Sequence, residues 1–286
     1  MKLIKQSFKF VNQKGFTLKD IYKHIEYCAR ISYKSQDKIT DTSYEKFVNM
    51  LESRGHDRPL EFGTVHLKMI LPDFQGFMNS LLTFGILNDI WIKSAHVGDI
   101  VYITTNYRYY LDIIKYFPKV KEYFTEEDNE YYPKRYTIHM ILDRGVMDEF
   151  RTHVGLSHLA QSTRYCRYSK DKFGREVTFI EPCWEIKTAN EVITPEGTHM
   201  SSDSLEFLTA LNEAEDHYLS LLAKGWTPQQ ARSVLPLGIK SELISCGFEN
   251  SWENFFYRRD APDAHPMAQE IAKPMHQKFI ELTKMK

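Results

Sequence analysis

The chain has few cysteines and no long apolar stretch. The four cysteines are Cys28, Cys166, Cys183 and Cys246. They form no CxxC pair, which argues against a zinc ribbon or a redox dithiol, and they are too few for a disulfide scaffold. The N-terminus lacks the apolar run of a signal peptide, and no segment approaches the roughly 20 apolar residues that cross a bilayer. We therefore expect a cytoplasmic protein with no membrane partner.

The sequence also lacks an excess of charge, a glycine-rich phosphate loop, an internal repeat and the βαβ rhythm of parallel sheets. Lys and Arg total 37 and Asp and Glu total 38, so the formal net charge is −1. Because no basic field is present, we expect no nucleic-acid partner. A local arginine cluster can still hold a nucleotide-sized anion without changing the total. The length and the 42% hydrophobic content suit one large domain or two small ones.

Hydrophobic periodicity predicts mixed α/β content. Helical spacing is found over residues 17–33, 43–53, 204–223, 227–235 and 266–284, and in the segment NYRYYLDIIKYF. Strand patterns cover residues 64–71, 98–104, 136–142 and 241–248. After residue 142 the period turns helical to about residue 163, and the acidic stretch TEEDNEYY is expected to be a solvated loop. We expect a mainly antiparallel, twisted sheet flanked by helices.

The densest polar segment is DEFRTHVGLSHLAQSTRYCRYS, residues 148–169. In a helix, Glu149, His153 and Ser157 would share one face because they lie four residues apart. Hydroxyl groups followed by an arginine, a suitable grip for phosphate, come next: Ser162, Thr163 and Arg164. From the residues alone, an ordinary amphipathic helix with a polar face is the favoured explanation of this segment.

Three further segments carry polar side chains whose simplest explanation, taken singly, is structural. TPQQARSVLPLG (227–238) contains Arg232, which a surface ion pair would explain. NSWENFFYRRDAPDAHP (250–266) has two arginines after an aromatic run, and these could extend from a buried patch to water. GHDRPLEFG (55–63) reads as a polar turn before a strand.

Together the four segments resemble the flavin-dependent thymidylate synthase family. The family signature reads Arg-His-Arg, two residues, Ser, one residue, Asn-Glu, one residue, Ser, one residue, Arg-Tyr. The positions that match it are His153, Ser157, Ser162, Arg164 and Tyr165. Thr152 and Val154 replace its two flanking arginines, and Leu159-Ala160 replaces Asn-Glu, with Gln161 one residue late for the glutamate.

The flanking segments extend the resemblance over most of residues 50–275. GHDRPLEF is similar to the family's His-Glu-Thr-Pro-Phe-Glu-His stretch, Ala231–Pro236 to its Ala-Arg, two residues, Leu-Pro element, and Asn254–Arg259 to its Asn-Phe, three residues, Arg element. Residues 72–135 resemble an insert of the longer members, which carry a Thr-Thr-Asn-x-Arg segment like Thr104–Arg108. The resemblance implies a single catalytic domain over residues 1–286 with this insert.

The resemblance also implies ligands, roles and an assembly. FAD would be the cofactor, dUMP the substrate, and methylenetetrahydrofolate and NADPH the co-substrates, in a homotetramer whose active sites are shared among subunits and need no metal. The residues implied for dUMP are Glu149, Ser162, Thr163, Arg164, Arg232 and Arg259, with Arg259 at the uracil carbonyl as the catalytic group. The residues implied for FAD are His56, Arg58, Glu61, His153, Ser157, Asn254 and His265.

Several alternatives stay open. The losses at Val154, Leu159 and Ala160 allow a flavoenzyme with an altered pyrimidine substrate, or a non-catalytic nucleotide-binding relative. Pro182-Cys183-Trp184 has the cysteine but not the histidine of the cysteine-dependent thymidylate synthases, so a structural cysteine is favoured. A metal hydrolase is disfavoured because His153 and His158 lie five apart, the wrong spacing for one helical face.

Overall fold

The computed structural model describes residues 1–162, 164, 167–170, 174–184, 192–194, 197–199 and 202–284. The helices are α1 Leu18–Tyr33, α2 Ser43–Ser53, α3 Leu71–Thr83, α4 Tyr107–Tyr116, α5 Arg144–Phe150, α6 Ser202–Ala223, α7 Pro228–Ala231, α8 Glu249–Arg259 and α9 Pro266–Lys284. The strands are β1 Lys2–Ile4, β2 Ser7–Phe10, β3 Thr64–Ile70, β4 Ile92–Val97, β5 Ile100–Asn106, β6 Phe124–Thr125, β7 Arg135–Asp143, β8 Ser157–Ala160, β9 Thr178–Ile180, β10 Val192–Thr194, β11 Gly197–His199 and β12 Lys240–Phe248. No helix among these residues has the length and apolar character needed to cross a bilayer.

The first sheet has the strand order β4-β5-β3-β6, and all of its pairs are antiparallel. Alternation along β3 buries Val65, Leu67 and Met69 on one face, as the period-2 pattern predicts. These side chains pack with residues of α1, α2, α3 and α4 in one apolar cluster. Residues 72–135 therefore contribute most of this sheet and two of its four covering helices.

The second sheet has the order β2-β7-β12-β8 and is also antiparallel. Its centre is the pairing of β7 with β12, which runs from Asp143 opposite Lys240 to Arg135 opposite Phe248. One face packs against α5, α8 and α9 around the fully buried Trp252. Helix α1 packs on the other face, where Cys28 and Ile31 meet residues of β12.

The two sheets share one connection pattern. In each, a central strand leads into a helix, then an edge strand, then a second central strand and a second helix: β3-α3-β4-β5-α4 and β7-α5-β8-β12-α8. In the second case, further elements lie between β8 and β12. The structure thus contains a repeated topology that residue identities alone do not reveal.

Helix α1 is buried along most of its length because it packs against both sheets. Ile21 and Ile25 belong to the core of the first sheet, while Cys28 and Ile31 belong to that of the second. The Thr17 hydroxyl caps its start by accepting from the Asp20 amide at 3.1 Å. A Cβ on Gly63 would lie 2.8 Å from both Ile21 and Ile25, so the chain entering β3 approaches α1 as only glycine allows.

The predicted fold class is confirmed in its general form, as antiparallel sheets flanked by helices, although there are two four-stranded sheets. The predicted helices 17–33, 43–53, 204–223 and 266–284 are confirmed within two residues, and the predicted strand 98–104 lies two residues later. Helices α3 and α8 and strands β1, β2, β4, β6, β9, β10 and β11 were not predicted.

The helix predicted to run to residue 163 is wrong. Helix α5 ends at Phe150, and the chain turns at Gly155, whose φ is +100°. Ser157–Ala160 then form β8, whose residues pair with Leu243–Cys246 of β12. Glu149, His153 and Ser157 therefore do not share a helix face, because the sheet edge offers the backbone of Ser157 a better set of partners.

Candidate functional site

A cavity of about 950 Å³ lies beside the C-terminal end of α8. Three residues predicted to contact ligands line it: Glu149 from α5, Arg259 from α8 and His265 from the following loop. Asp260 and His276 line it too, although they were not predicted. Its size is in the range of small-molecule sites, and its lining mixes cations, carboxylates and aromatic rings.

Arg259 is held at the edge of this cavity by α5. Its guanidinium donates to the Glu149 carbonyl at 2.6 Å and lies 3.3 Å from that residue's carboxylate. Its Nε is buried and makes no hydrogen bond with a described residue. The adjacent Arg258 is exposed, so the two arginines differ in surroundings although both line the cavity.

His153 lies in the turn between α5 and β8 and packs against α8. Its ring is 5.5 Å from that of Phe255, and its Nε2 is buried with no hydrogen bond to the part of the chain that is described. Burial lowers the pKa of His153, and the charges of Arg259 and Arg258 lower it further. A neutral imidazole with a buried, unused nitrogen is suited to a ligand that brings its own polar group.

A second group of predicted residues surrounds Glu61. The Ser157 hydroxyl donates to Glu61 Oε2 at 2.6 Å, and Arg58 lies 4.0 Å from Oε1. Arg108 also pairs with Oε1, at 2.5 Å, and its guanidinium lies 5.2 Å from the Trp91 ring. Arg108 had a signal in the sequence, as the last residue of the Thr-Thr-Asn-x-Arg segment, but nothing there linked it to Glu61.

His158 connects this group with the turn that carries His153. Its Nδ1 is 2.8 Å from the Ser245 hydroxyl, and its Nε2 is 3.1 Å from the His153 carbonyl. Burial lowers the pKa of His158 to about 4, so the ring is neutral. A carbonyl can only accept, so Nε2 donates to the His153 carbonyl and Nδ1 accepts from the Ser245 hydroxyl. Strand β8 therefore connects the residues around Glu61 with the turn that packs against α8 near Arg259.

The residues predicted to bind phosphate form a third group beside α7. The Ser162 hydroxyl accepts from the Arg164 amide, and the Arg164 guanidinium lies 3.3 Å from the Gln229 side chain of α7. Arg232 directly follows α7, and both arginines are exposed. Thr163 lies outside the described residues. Neither arginine lines the cavity of Arg259, and His56 and Asn254 are exposed.

Next to this third group lies a buried cluster of charged side chains that the sequence did not indicate. Lys34 and Lys240 both pair with Oε1 of Glu242, and His139 lies 3.1 Å from Oε2. Burial lowers the pKa of Lys240 to about 8 against the pull of Glu242. Burial would raise the pKa of Glu242, but the His139 hydrogen bond and the two ammonium groups hold it well below its usual range. The backbone N–H of Gln161 donates to the backbone carbonyl of Glu242 at 2.7 Å. This hydrogen bond fixes the chain directly before Ser162.

The described residues give no support to a catalytic cysteine or to a metal hydrolase. Cys183 is exposed, and partial desolvation of its sulfur together with the charge of Glu270 raises the pKa of the thiol, the opposite of an activated nucleophile. Among the described residues, no group of three or more His, Cys, Asp or Glu side chains is arranged to hold a metal ion.

Comparison with known proteins gives a family match and two structural likenesses. The model of the thymidylate synthase complementing protein family matches residues 134–283, more than half of the chain. The crystal structure of the UMP/dUMP methylase PolB from Streptomyces cacaoi bound with 5-Br dUMP is 15% identical, with a TM-score of 0.43 over 99% of this chain and 93% of that chain. The complex of the same protein with 5-Br UMP is 15% identical, with a TM-score of 0.44 over 99% of this chain and 92% of that chain. No curated protein sequence matches the chain.

Proposed function

The chain belongs to the thymidylate synthase complementing protein family, and from this premise we propose that it methylates dUMP to dTMP. FAD is the proposed cofactor, methylenetetrahydrofolate the one-carbon donor and NADPH the reductant. When bound, the flavin supplies the reducing equivalents and mediates the one-carbon transfer. The protein's own task is to hold an anionic nucleotide, polarise its uracil ring and keep water away.

The cavity that contains Arg259 and Glu149 is the observation that carries this proposal. A guanidinium fixed by the Glu149 carbonyl can face a uracil carbonyl, where its interaction strengthens as negative charge develops on that oxygen. The Phe150 ring lies 6.0 Å from this guanidinium and Phe256 lines the cavity, so the local dielectric is low and the effect increases. We propose Arg259 as the catalytic group and Glu149 as a further dUMP contact.

Two of the residues proposed for FAD each have a buried polar atom that such a ligand could bind. The Nε2 of His153 and the Nε of Arg108 are buried polar atoms that lack a hydrogen bond within the described residues. Arg58 and Arg108 flank Glu61, and a pair of guanidinium groups is suited to a pyrophosphate. Together with these, we propose that FAD is bound by His56, Glu61, Ser157, Asn254 and His265.

The arginines beside α7 are proposed to bind the dUMP phosphate, with Ser162 and Thr163. Because Arg164 and Arg232 do not line the cavity of Arg259, we propose that the whole site needs more than one chain. We propose a homotetramer in which the cavity of one subunit meets the α7 arginines of another. The entire chain then acts as one catalytic domain, with residues 72–135 as an insert that supplies Arg108.

Spectroscopic titration separates this function from its alternatives. Purified protein should take up FAD, and dUMP should then perturb the flavin spectrum. Arg164→Ala and Arg232→Ala should bind FAD normally but bind dUMP more weakly by about 1.5–3 kcal/mol, the loss expected for a hydrogen bond to a charged group. Arg54→Ala, an exposed arginine after α2, is the matched control.

Each other outcome has a distinct meaning. Protein that cannot bind FAD would favour the non-catalytic relative. A response to UMP but not to dUMP would favour the altered pyrimidine substrate. The loss of the family arginine at Val154, whose side chain is 76% exposed, is the reason to test this alternative. Unchanged dUMP affinity in both arginine variants would remove the phosphate assignment.

A further inference from the structure

A histidine and an aspartate that the family resemblance did not indicate form a fixed pair in the cavity of Arg259. His276 of α9 lies with its Nδ1 2.8 Å from Oδ2 of Asp260, the residue that directly follows Arg259. Its ring stacks on Phe256, with centroids 4.6 Å apart and planes 9° apart. Two independent contacts therefore set both the position and the plane of the imidazole.

The Asp260 carboxylate also determines which ring nitrogen is basic. A carboxylate can only accept hydrogen bonds, so Nδ1 of His276 carries the proton and donates it. Nε2 is then left with a lone pair, and it makes no hydrogen bond to any residue in the described part of the chain. An imidazole oriented by a carboxylate, with its other nitrogen available, is the arrangement of a general base.

Resting on the proposed function, we propose that His276, positioned by Asp260, accepts the proton that leaves C5 of the pyrimidine. Methylation replaces a hydrogen on this carbon, so a proton acceptor is required. C5 forms a bond to the one-carbon unit of methylenetetrahydrofolate as the electron pair of that unit's C=N bond returns to nitrogen. The C5–H bond then breaks, its electron pair restores the C5–C6 double bond, and the proton moves to Nε2 of His276. The reducing equivalents of NADPH later replace the remaining C–N bond with C–H and complete the methyl group. The imidazolium is stabilised by Asp260 and returns the proton to water.

The surroundings of the pair suit this step. The other charged or titratable side chains that line the cavity are Glu149, Tyr257, Arg258, Arg259, Asp263 and His265. Arg259 would stabilise the negative charge on the uracil carbonyl, and His276 would accept the proton from C5 of the same ring. If the His276–Asp260 pair only linked α8 to α9, it would need the hydrogen bond between them but not a basic ring nitrogen on His276.

Two substitutions separate the base from the link. In His276→Asn, the amide nitrogen replaces Nδ1 as donor to Asp260, but no basic atom remains. In Asp260→Asn, the side chain can still accept the hydrogen bond but cannot stabilise an imidazolium. The matched control is His217→Gln, an exposed histidine on α6. Thermal unfolding of each variant reports on the link itself.

The experiment is single-turnover tritium release from [5-³H]dUMP by the FAD-loaded protein, measured from pH 5 to 9. His276→Asn should bind dUMP as the wild type does and release tritium at least about 100-fold more slowly, the usual contribution of a general base. The pH dependence of its rate should differ from that of the wild type, because no basic atom remains at this position. Asp260→Asn should be slowed less, and His217→Gln should be unchanged.

A rate for His276→Asn within threefold of the wild type, with the same pH profile, would overturn the proposal and leave a structural link. If His276→Asn does not fold, His276→Gln and Asp260→Asn decide by the same criterion. Wild-type protein that binds dUMP and FAD but releases no tritium would instead overturn the proposed function, and the inference with it.

Discussion

Two adjacent arginines at the end of α8 illustrate how the proposed site works at the scale of single residues. Arg259 has 20% of its side chain exposed and bonds to the backbone and carboxylate of Glu149, whereas Arg258 is exposed. A fixed guanidinium needs no reorganisation when charge develops on a nearby oxygen. This difference in surroundings supports the choice of Arg259, which rested on spacing from Asn254 alone.

Lysine substitutions test this choice. Arg259→Lys keeps the charge but loses the planar fork that meets Glu149 and a carbonyl together, so transfer should slow more than dUMP affinity falls. Arg258→Lys should be nearly silent and serves as the control. Single-turnover kinetics with saturating FAD make the comparison. Impairment in Arg258→Lys instead would mean that the alignment of this segment is wrong by one residue.

The sequence indicated individual site residues better than their partners. Motif spacing suggested Glu61 and Ser157, which lie far apart along the chain, and the structure joins them by a hydrogen bond. Arg108 and the buried group around Glu242 were missed as site components. Their partners come from other strands and helices, and such long-range contacts leave no local pattern.

At the scale of elements, the turn between α5 and β8 positions the side chains of the site. Gly155 adopts a φ of +100°, and a Cβ there would lie 3.1 Å from the Ser251 hydroxyl. This turn lets the chain leave the helix and reach the edge of β12 within a few residues. His153 consequently faces α8, while Ser157 faces Glu61.

Gly155→Ala should destabilise the protein by about 1–3 kcal/mol, the cost of placing a residue with a side chain in this backbone region. Gly76→Ala is the matched control, because Gly76 lies exposed in α3 and a Cβ added there would have no other atom within 4 Å. It should stabilise the protein by about 0.5–1 kcal/mol through helix propensity. Urea unfolding gives both values, and equal effects would contradict the role assigned to the turn.

The elements with strong periodicity were predictable, and this turn was not. Helix α1 and strand β3 show clear apolar spacing, and each was predicted within one residue of its bounds. Residues 148–163 also fit a helical period, but the free edge of β12 competes for the backbone of Ser157–Ala160. Sheet pairing depends on residues some 85 positions later, so local spacing could not reveal it.

At the scale of the whole molecule, buried histidines set the response of stability to acid. Burial lowers the pKa of His24 to about 3 and that of His66 to about 4, from an ordinary value of 6.5. His66 is stacked between the rings of Phe16 and Tyr132, at 3.8 and 3.9 Å. Both histidines are therefore neutral in the fold over a pH range in which the unfolded chain binds protons.

The stability contributed by these two residues is fully present above pH 6.5 and is lost as the pH falls towards 4 and then 3. Each should lower the free energy of unfolding by about 1.4 kcal/mol per pH unit between pH 6 and 5, since the unfolded state binds one more proton per histidine. His66→Gln should remove its share of this slope, and His217→Gln should not. Urea unfolding at several pH values measures the slope, and an unchanged slope in His66→Gln would contradict the account.

The proposed sharing of sites among subunits gives a second prediction at this scale. At a dUMP concentration well below the Kd of Arg232→Ala, both Arg232→Ala and Arg259→Ala should have little activity alone. If the two arginines of one site come from different subunits, mixing and reassociating the two variants should restore about a quarter of the sites. Activity of the mixture measures this directly. An inactive mixture that has exchanged subunits would show that both arginines act within one chain.

The central claim is that this chain replaces the hydrogen on C5 of dUMP in a flavin-dependent reaction. The most direct measurement is tritium release from [5-³H]dUMP by purified protein with FAD, NADPH and methylenetetrahydrofolate. We expect release that requires all three additions, is lost in Arg259→Ala and continues in Cys183→Ser. No release from protein shown to bind both FAD and dUMP would contradict the claim, and so would release that needs Cys183 but not FAD.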